Sequence, residues 1–304
     1  MPYTFEDLQA WDKPGVHLGV LGHPIAHSLS PQMHGAALAE FAREDASFAR
    51  WEYHLFDIPA ERLPEALPLF YEKGFAGMNL TVPHKVEVLP HLVGYSPMVE
   101  RIGAANTLVR KEGGYFGENT DIYGIAKTLE QAWAIESLAK TPVILVGAGG
   151  AARAAAIHCL HAGCCELWIG NRSQDRLEAL LQDLRAFRSQ TVLHGFDLTQ
   201  ALPRDLPKTG VLIQSTSLGI QPGDPAPIDL STHFEPSLKV FDMIYNPLPT
   251  PTMKAALSAG MDVCGGLLML IYQGVLALEH WSGRKPSAAI MLETVERILK
   301  ERSI

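Results

Sequence analysis

An apolar run that leads directly into a glycine-rich segment is the feature that most constrains the fold of this chain. Val143-Ile144-Leu145-Val146 is followed at once by Gly147-Ala148-Gly149-Gly150-Ala151-Ala152, a G-x-G-x-x-A pattern that opens a predicted helix at 151–161. In such a strand–turn–helix unit Gly147 permits the tight turn, Gly149 lets a pyrophosphate approach the backbone, and Ala152 allows close helix–strand packing. Free amides and the dipole at the helix N-terminus favour phosphate binding. The pattern predicts a dinucleotide-binding domain.

The rest of the chain alternates apolar runs with helical patterns, which is typical of α/β proteins with parallel strands. Strands are predicted at 17–21, 51–56, 75–80, 107–110, 115–117, 141–146, 166–169, 191–193, 211–213 and 239–243. Helices are predicted at 31–43, 59–72, 121–133, 266–281 and 287–301, and an exposed loop at 221–227. Because 304 residues exceed the usual size of one domain, we expect two, with a boundary near Gly124.

Charge and composition exclude several classes of protein. The net charge of −8, from 25 basic and 33 acidic residues, argues against a nucleic-acid-binding protein. The most apolar stretch, 264–278, contains Gln273 and is too short to span a membrane, so a buried core helix is expected. No targeting leader opens the chain, and Phe5, Leu8 and Trp11 indicate a short amphipathic extension.

The cysteines and histidines do not predict a metal centre. The four cysteines have no metal-type spacing, and reduced thiols in a cytoplasmic protein are expected. His23 and His27 flank Pro24 in a predicted loop, while His158 and His161 lie on a helix without a nearby carboxylate. We therefore predict no metal.

The strand after the glycine-rich helix indicates which nicotinamide cofactor is used. An NAD enzyme would usually end this strand with an acid that binds the ribose 2′-hydroxyl. Here the strand ends in Asn171-Arg172-Ser173, and Arg176 follows one helical turn later. Two guanidiniums suit a 2′-phosphate, so NADP is favoured over NAD. The alternative is that both arginines are solvated charges at a helix start.

Three further segments carry polar groups that could take part in substrate binding or catalysis. Ser28 and Ser30 lie in Gly22–Pro31, where Ser30 suits an N-cap and Pro31 the first helical position, but both hydroxyls could also face a small carboxylate. Lys85 ends Asn79-Leu80-Thr81-Val82-Pro83-His84-Lys85, where a strand ends and a helix can begin. A lysine held there can act in proton transfer, although a surface lysine is the simpler interpretation. The predicted strands 107–110 and 115–117 form a hairpin around the turn at 111–114, which brings Asn106 and Asp121 near one another.

Taken in this order and spacing, these segments resemble the shikimate dehydrogenase family, over about residues 17–281. The resemblance also includes Asp242-Met243-Ile244-Tyr245-Asn246-Pro247 and Gly266-Leu267-Leu268-Met269. It implies an N-terminal α/β substrate domain, a Rossmann-type doubly wound NADP domain, a cleft between them, and C-terminal helices that return to the first domain. The corresponding domain ranges are 13–123 with 267–304, and 124–266.

The resemblance also implies roles for individual residues. Lys85 and Asp121 match the catalytic pair, and Ser28 and Ser30 match the hydroxyls that hold the substrate carboxylate. The residues implied at the ring hydroxyls and the substrate side of the cleft are Thr81, Asn106, Gln273 and Tyr245. Those implied at the cofactor are Gly147, Gly149, Gly150 and Ala151 at the pyrophosphate, Asn171, Arg172 and Arg176 at the adenosine phosphate, and Gly266 and Met269 beside the nicotinamide.

The implied reaction is the reversible, NADPH-dependent reduction of 3-dehydroshikimate to shikimate. The chain departs from the family pattern at Gln214-Ser215-Thr216-Ser217, at Leu268 and in its N-terminal extension, none of which removes a residue assigned to chemistry. Two alternatives stay open: a quinate/shikimate dehydrogenase using NAD or NADP, and a catalytically silent NADP-binding regulatory protein. A small-molecule substrate is the expected partner, in a monomer or homodimer, without nucleic acid or membrane.

Overall fold

A computed structural model describes residues 1–187 and 189–302. The chain forms two compact units. The first contains Met1–Asp121 and the chain from Ile271 onward, and the second contains Ile122–Leu270. The predicted domain boundaries, after residues 123 and 266, lie close to the boundaries between these units, after Asp121 and Leu270.

Each unit contains one sheet. The strands of the first unit are β1 Val16–Gly22, β2 Trp51–Asp57, β3 Gly77–Leu80, β4 Gly94–Tyr95, β5 Thr107–Lys111 and β6 Gly114–Glu118. Those of the second are β7 Val143–Val146, β8 Glu166–Asn171, β9 Val192–Asp197, β10 Val211–Gln214, β11 Lys239–Asp242 and β12 Asp262–Gly265. The α-helices are α1 Phe5–Gln9, α2 Ser30–Glu44, α3 Leu63–Glu72, α4 His84–Glu87, α5 Pro97–Ile102, α6 Asp121–Trp133, α7 Gly150–His161, α8 Gln174–Arg185, α9 Pro251–Ser258, α10 Leu267–Ser282 and α11 Ala288–Arg302.

The first sheet brings four chain segments to one edge. Its strand order is β2-β1-β3-β5-β6-β4, with β1 parallel to β2 and β3, and β5 antiparallel to β3 and β6. Leu21 pairs with Leu80, Asn79 with Thr107, and Thr107 with Glu118. The segments that follow β1, β3 and β6, and the one that precedes β5, therefore all leave the sheet at the same edge.

The second sheet has the strand order β12-β11-β10-β7-β8-β9, and its adjacent strands pair in parallel. This is the doubly wound Rossmann order, in which the direction of winding reverses between β7 and β10. All four residues of β7 are buried, as expected for a central strand covered on both faces. The α/β class and the Rossmann-type second domain are confirmed.

The N-terminal extension is a folded part of the first unit. Tyr3 pairs with Phe56 alongside β2: its amide donates to the Leu55 carbonyl at 2.7 Å, and its carbonyl accepts from the Asp57 amide at 2.8 Å. Phe5, Leu8 and Trp11 are buried in the core of this unit. The extension thus pairs with β2, the outermost strand of the first sheet, and covers part of the side of that strand that would otherwise be unpaired.

Some elements differ from the sequence predictions. The prediction that 264–278 forms one buried helix is wrong at its start, because Cys264 and Gly265 belong to β12 and α10 begins at Leu267. Apolar periodicity does not separate a short strand from the helix that continues the same apolar run. The short elements β4 and α5 were not predicted. In the part of the chain that the structure describes, no helix is long and apolar enough to cross a membrane.

We expect Trp11→Ala to reduce the free energy of unfolding by about 3–5 kcal/mol, the usual range for removing a buried tryptophan. Trp11 is 5% exposed, and its ring contacts those of Tyr3, His54 and Phe75 at centroid distances of 4.8–5.2 Å. Urea denaturation followed by circular dichroism measures the change. Val93→Ala, at a 53% exposed position of the same unit, is the control and should change little. A loss below about 1 kcal/mol for Trp11→Ala would show that the extension is only loosely attached.

Candidate functional site

An ion pair lies at the edge of the first sheet where the four segments meet. The Lys85 Nζ donates to Asp121 Oδ2 at 2.7 Å. The lysine side chain is 26% exposed and the aspartate 9%, so the pair is largely withdrawn from water but the ammonium remains accessible. The ion pair fixes the position of the Lys85 ammonium, whereas the ammonium of most exposed lysines has no fixed position.

Two contacts of α4 hold Lys85 in place. The buried His84 ring lies with Nε2 at 2.8 Å from the Ile58 carbonyl, which makes Nε2 the donor. Burial lowers the pKa of His84, so the ring is neutral at physiological pH. The Lys85 carbonyl accepts from the Ala105 amide at 2.8 Å. Lys85 therefore projects from a short helix that is held by the His84 side chain and by the backbone carbonyl of Lys85.

Asn106 fixes the second carboxylate oxygen of the pair. Its Nδ2 donates to Asp121 Oδ1 at 2.8 Å and to Thr120 Oγ1 at 3.0 Å. Its Oδ1 accepts from the Thr120 amide at 2.7 Å, which sets the orientation of the carboxamide. The Asp121 amide donates to Asn119 Oδ1 at 3.1 Å. Asp121 thus has one oxygen for the ammonium and one for the amide, at the first position of α6.

The two serines lie at the same sheet edge, after β1. Ser28 is half-buried and Ser30 is 7% exposed. The prediction that Ser30 is the N-cap is wrong: α2 begins at Ser30 itself, and its N-cap is Leu29 without a side-chain cap. Ser28 Oγ instead accepts from the Ser30 amide at 3.3 Å. The hydroxyl that accepts from an amide at the start of the helix is therefore that of Ser28, two residues earlier than predicted.

Thr81 and Gln273 belong to the same unit but are positioned by different elements. Thr81 follows β3, and its amide donates to the Leu21 carbonyl at 2.9 Å, which places it beside the end of β1. Gln273 is half-buried on α10, within the part of that helix that belongs to the first unit. Direct hydrogen bonds join Lys85, Asn106 and Asp121, whereas Thr81 takes its position from the sheet edge and Gln273 from α10.

In the second unit, the glycine-rich turn has the geometry predicted for phosphate binding. Gly147 has φ +118°, and a Cβ there would lie 2.7 Å from Ser215 Oγ, so only glycine fits. Gly149 is the N-cap of α7, and Ala151 lies in its first turn. A Cβ built at Gly149 or Gly150 would meet no atom within 4 Å. The space beside these backbone amides is open, as the approach of a pyrophosphate requires.

The end of β8 presents two exposed cations. Asn171 Nδ2 donates to the Ser173 carbonyl at 2.8 Å, and Ser173 caps α8 by accepting from the Arg176 amide. Arg172 and Arg176 are both exposed. Among the described residues, neither guanidinium forms an ion pair with a carboxylate of the protein. Both are thus available to an anionic ligand at the carboxyl end of a strand next to β7.

The loop after β11 is tied together by a buried carboxylate. Asp242 accepts from the Thr250 hydroxyl at 2.6 Å and from the Ile244 amide at 3.0 Å, while burial raises its pKa. A Cβ at Gly266 would overlap the Met243 carbonyl, so Gly266 is required for this packing. Tyr245 and Met269 are half-buried, in the loop and in the first turn of α10.

Gln214, a departure from the family pattern, belongs to the same structure. Its Nε2 donates to the Thr216 and Leu218 carbonyls at 3.2 Å, and its Oε1 accepts from the Thr216 amide. The longer amide therefore stabilises the turn that packs against Gly147. This departure leaves the phosphate loop intact.

Several buried polar residues of the first unit had no predicted function. These residues are Tyr53, Asn79, Thr107 and Thr120. Asn79, for example, accepts from the Tyr53 hydroxyl at 2.7 Å and donates to Thr107 Oγ1 at 3.0 Å. Polar residues within otherwise apolar strand segments were the available sequence signal.

One group of potential metal ligands comes together in the described part of the chain: His17, Glu52 and His54. Hydrogen bonds account for the histidines, since His17 Nδ1 lies 3.1 Å from His54 Nε2 and His17 Nε2 lies 2.9 Å from the Lys13 carbonyl. Burial, and to a smaller extent His17 and Lys13, lowers the pKa of His54 to about 4. The positive charge of the nearby Lys13 ammonium would repel a metal ion bound by this group. The expectation of no metal stays a prediction.

Three family models match successive parts of the chain. The shikimate dehydrogenase substrate binding domain matches residues 20–108, the shikimate/quinate 5-dehydrogenase model residues 130–218, and the shikimate 5′-dehydrogenase C-terminal domain residues 266–296. The first match contains Ser28, Ser30, Thr81, Lys85 and Asn106.

Similar proteins cover nearly the whole chain. A shikimate dehydrogenase (NADP(+)) from Symbiobacterium thermophilum is 36% identical over 283 residues, which are 91% of this chain and 92% of the relative. The crystal structure of shikimate 5-dehydrogenase from Thermus thermophilus with NADP(H) and shikimate is 36% identical, with a TM-score of 0.79 over 93% of this chain and 99% of that one. Quinate dehydrogenase from Corynebacterium glutamicum with NAD is 27% identical, with a TM-score of 0.78 and the same coverage.

The sheet-edge ion pair, the glycine-rich turn and the extent of these similarities lead to one conclusion: the chain belongs to the shikimate dehydrogenase family.

Proposed function

We propose that this chain is an NADP-dependent shikimate dehydrogenase that reversibly reduces 3-dehydroshikimate to shikimate. The observation that carries the proposal is the Lys85–Asp121 pair, an ammonium held at 2.7 Å from a largely buried carboxylate. A phosphate-binding turn in the same chain accounts for a nicotinamide cofactor. The named relatives support the same activity, because this chain covers 92% of the Symbiobacterium enzyme at 36% identity.

Lys85 is the proposed proton donor in the direction of reduction. NADPH, when bound, supplies the hydride that adds to the carbonyl carbon of the substrate. The C=O π bond breaks as the new C–H bond forms, and the oxygen gains negative charge. Lys85 transfers a proton from Nζ to that oxygen and is reprotonated from solvent; in the oxidation direction it accepts the proton. Asp121 holds Nζ in position, and such general acid–base catalysis is typically worth about 10²–10⁴ in rate.

The carboxylate and ring hydroxyls of the substrate have proposed partners in the first unit. Ser28 and Ser30 hold the carboxylate at the N-terminus of α2, where the helix dipole favours an anion. Thr81 and Gln273 bind ring hydroxyls. Tyr245 belongs to the second unit, and its contact with the substrate stays a prediction. Asn106 already donates both amide protons within the protein, and its Oδ1 accepts from the Thr120 amide. Its proposed contribution is therefore to hold Asp121, and a contact between Asn106 and a ring hydroxyl stays a prediction.

The cofactor has proposed partners in the second unit. Gly147, Gly149, Gly150 and Ala151 bind the pyrophosphate, where the space beside the backbone is open. Arg172 and Arg176, with Asn171, bind the adenosine 2′-phosphate. Gly266 and Met269 lie beside the nicotinamide in this proposal, and the packing of Gly266 on the Met243 carbonyl explains why a larger residue is excluded there.

Two alternatives remain distinguishable by experiment. A quinate/shikimate dehydrogenase using NAD or NADP is supported by the similarity to the Corynebacterium enzyme, at 27% identity. Two compact serines and two arginines favour shikimate and NADP. A catalytically silent NADP-binding protein would have no need for the ion pair between Lys85 and Asp121. A cytoplasmic location and a monomeric or homodimeric state stay predictions.

A spectrophotometric assay at 340 nm tests the proposed function directly. With shikimate and NADP⁺ we expect kcat/KM to exceed that for NAD⁺, and that for quinate, by at least about tenfold, the factor that corresponds to about 1.4 kcal/mol of binding energy. Equal rates with quinate and NAD⁺ would favour the quinate/shikimate alternative. No reduction of either cofactor, by a protein that still binds NADPH, would identify the silent alternative.

Lys85→Ala should reduce kcat by about 10²- to 10⁴-fold and change the Kd for shikimate by only a few-fold, because proton transfer is lost while the carboxylate and hydroxyl contacts remain. Steady-state kinetics and calorimetric binding measure the two effects. Lys127→Ala is the matched control, since Lys127 also pairs with a carboxylate, Glu130, at 2.6 Å, and is 31% exposed. A variant at position 85 with the same kcat as the control would exclude Lys85 as the proton donor.

Arg172→Ala should raise the KM for NADP⁺ by about tenfold or more and leave that for NAD⁺ nearly unchanged, because a charge-assisted hydrogen bond to the 2′-phosphate is removed. The comparison is Arg185→Ala, at an exposed arginine of α8 that pairs with Glu178 at 2.7 Å. The ratio of kcat/KM for the two cofactors is the measured quantity. If kcat/KM falls equally for NADP⁺ and NAD⁺, Arg172 does not recognise the 2′-phosphate.

A further inference from the structure

A buried carboxylate joins the two ends of the loop that follows β11. This loop, residues 243–250, runs from the end of β11 to the start of α9. Its tip, 246–249, is exposed, whereas Ile244 and Thr250 near its ends are buried. Asp242 Oδ1 accepts from the Ile244 amide at 3.0 Å, and Oδ2 accepts from the Thr250 hydroxyl at 2.6 Å. A single side chain thus holds both ends of an exposed loop.

The polar side chains around this carboxylate are fully withdrawn from water. Gln214, Asp242 and Thr250 are each 0% exposed. Gln214 Nε2 donates to Asp242 Oδ1 as well, at 3.4 Å. Burial raises the pKa of Asp242, and the hydrogen bonds from Thr250 and Ile244 oppose that effect. Because a buried carboxylate that loses a donor is strongly destabilised, the conformation of the loop and these hydrogen bonds depend on one another.

The register of the second sheet places this carboxylate between the two proposed cofactor segments. The pairs at the carboxyl ends of neighbouring strands are Val146 with Gln214, Gln214 with Asp242, and Asp242 with Gly265. The chain continues from the two outer members of this row into Gly147 and Gly266. Gly147 belongs to the proposed pyrophosphate turn, and Gly266 is proposed to lie beside the nicotinamide.

The 243–250 loop packs directly on Gly266. The Gly266 amide donates to the Ile244 carbonyl at 3.0 Å. A Cβ at Gly266 would overlap the Met243 carbonyl, so the backbones of the two segments are in close contact. A displacement of the loop would therefore change the surroundings of Gly266.

We propose that Asp242 is a positioning residue for the cofactor, which holds the 243–250 loop against Gly266 in the conformation that accepts the nicotinamide half of NADP(H). Asp242 is itself fully buried, so it acts through the loop. The proposed adenosine contacts follow β8, which lies on the opposite side of β7 from β11 in the strand order. They should not depend on Asp242. This inference rests on the proposed function, since it assumes that the second unit binds NADP(H).

Thr250→Val removes the hydroxyl that donates to Asp242 Oδ2 and nearly keeps the side-chain shape. We expect the Kd for NADPH to rise on the order of tenfold, because only a fraction of the molecules then has the loop in the binding conformation. The Kd for adenosine 2′,5′-bisphosphate, which lacks the nicotinamide, should change by less than about twofold, since its proposed partners do not contact the loop. Calorimetric titration of the full chain with each ligand measures both quantities.

Thr128→Val is the matched control for the loss of a buried hydroxyl. Thr128 is 0% exposed in the same unit, and its hydroxyl donates to the Gly124 carbonyl at 2.8 Å within α6. This variant should leave the Kd of both ligands unchanged. Thr250→Ser, which keeps a hydroxyl, should bind NADPH nearly as tightly as the wild type. If Thr250→Val binds NADPH as tightly as Thr128→Val, or loses affinity for both ligands equally, the inference is wrong.

Asp242→Asn tests the carboxylate without removing the helix cap. The Thr250 hydroxyl also accepts from the Met253 amide at 3.1 Å, so Thr250→Val removes the N-cap of α9 as well. Asp242→Asn keeps that cap but replaces one accepting oxygen by an NH₂ group, which cannot accept. It should weaken NADPH binding selectively, in the same way as Thr250→Val. An unchanged Kd for NADPH in Asp242→Asn would assign the effect of Thr250→Val to the cap and reject the inference.

A double-mutant cycle shows whether the two residues act together. Adding Thr250→Val to Asp242→Asn should raise the Kd for NADPH by less than about a further twofold, since the contact is already lost. Independent, multiplying effects would contradict the link. A wild-type protein that does not bind NADPH would reject the proposed cofactor. A wild-type protein that binds it, with Thr250→Val resembling Thr128→Val, would reject only this inference.

Discussion

The Asp121 carboxylate is the interaction on which the proposed active centre depends. One oxygen accepts from the Lys85 ammonium at 2.7 Å and the other from the Asn106 amide at 2.8 Å. A largely buried carboxylate is stable only when both oxygens have partners. Its requirement for donors therefore fixes the lysine on one side and orients the amide network on the other.

The sheet topology explains how these groups meet although they are far apart in sequence. Lys85 follows β3, Asn106 precedes β5, and Asp121 follows β6, and the mixed pairing places all three points at one edge. The N-terminal extension contributes by covering part of β2, the strand that carries Tyr53. Tyr53 donates to Asn79, so this outer strand is also joined to the buried polar residues of the first unit.

Much of the site was predictable because its residues lie in local motifs with a physical meaning. The glycine-rich turn predicted the position of α7, and Gly147 has the positive φ that such a turn requires. Lys85 was predicted at a strand end, and it lies in the short helix after β3. The prediction was wrong for Ser30 as an N-cap, because the capping preference of serine does not by itself decide at which residue a helix begins.

The sequence by itself determined the α/β class, the Rossmann-type unit and the residue types available for proton transfer, since each follows from periodicity or from a short motif. Only the tertiary structure decided which partners those residues have. That Asn106 donates to Asp121, that Tyr53 donates to Asn79, and that Trp11 belongs to the core depend on contacts between distant segments. Hydrogen bonds act over about 3 Å, and only strand register and packing bring atoms so distant in the chain to that separation.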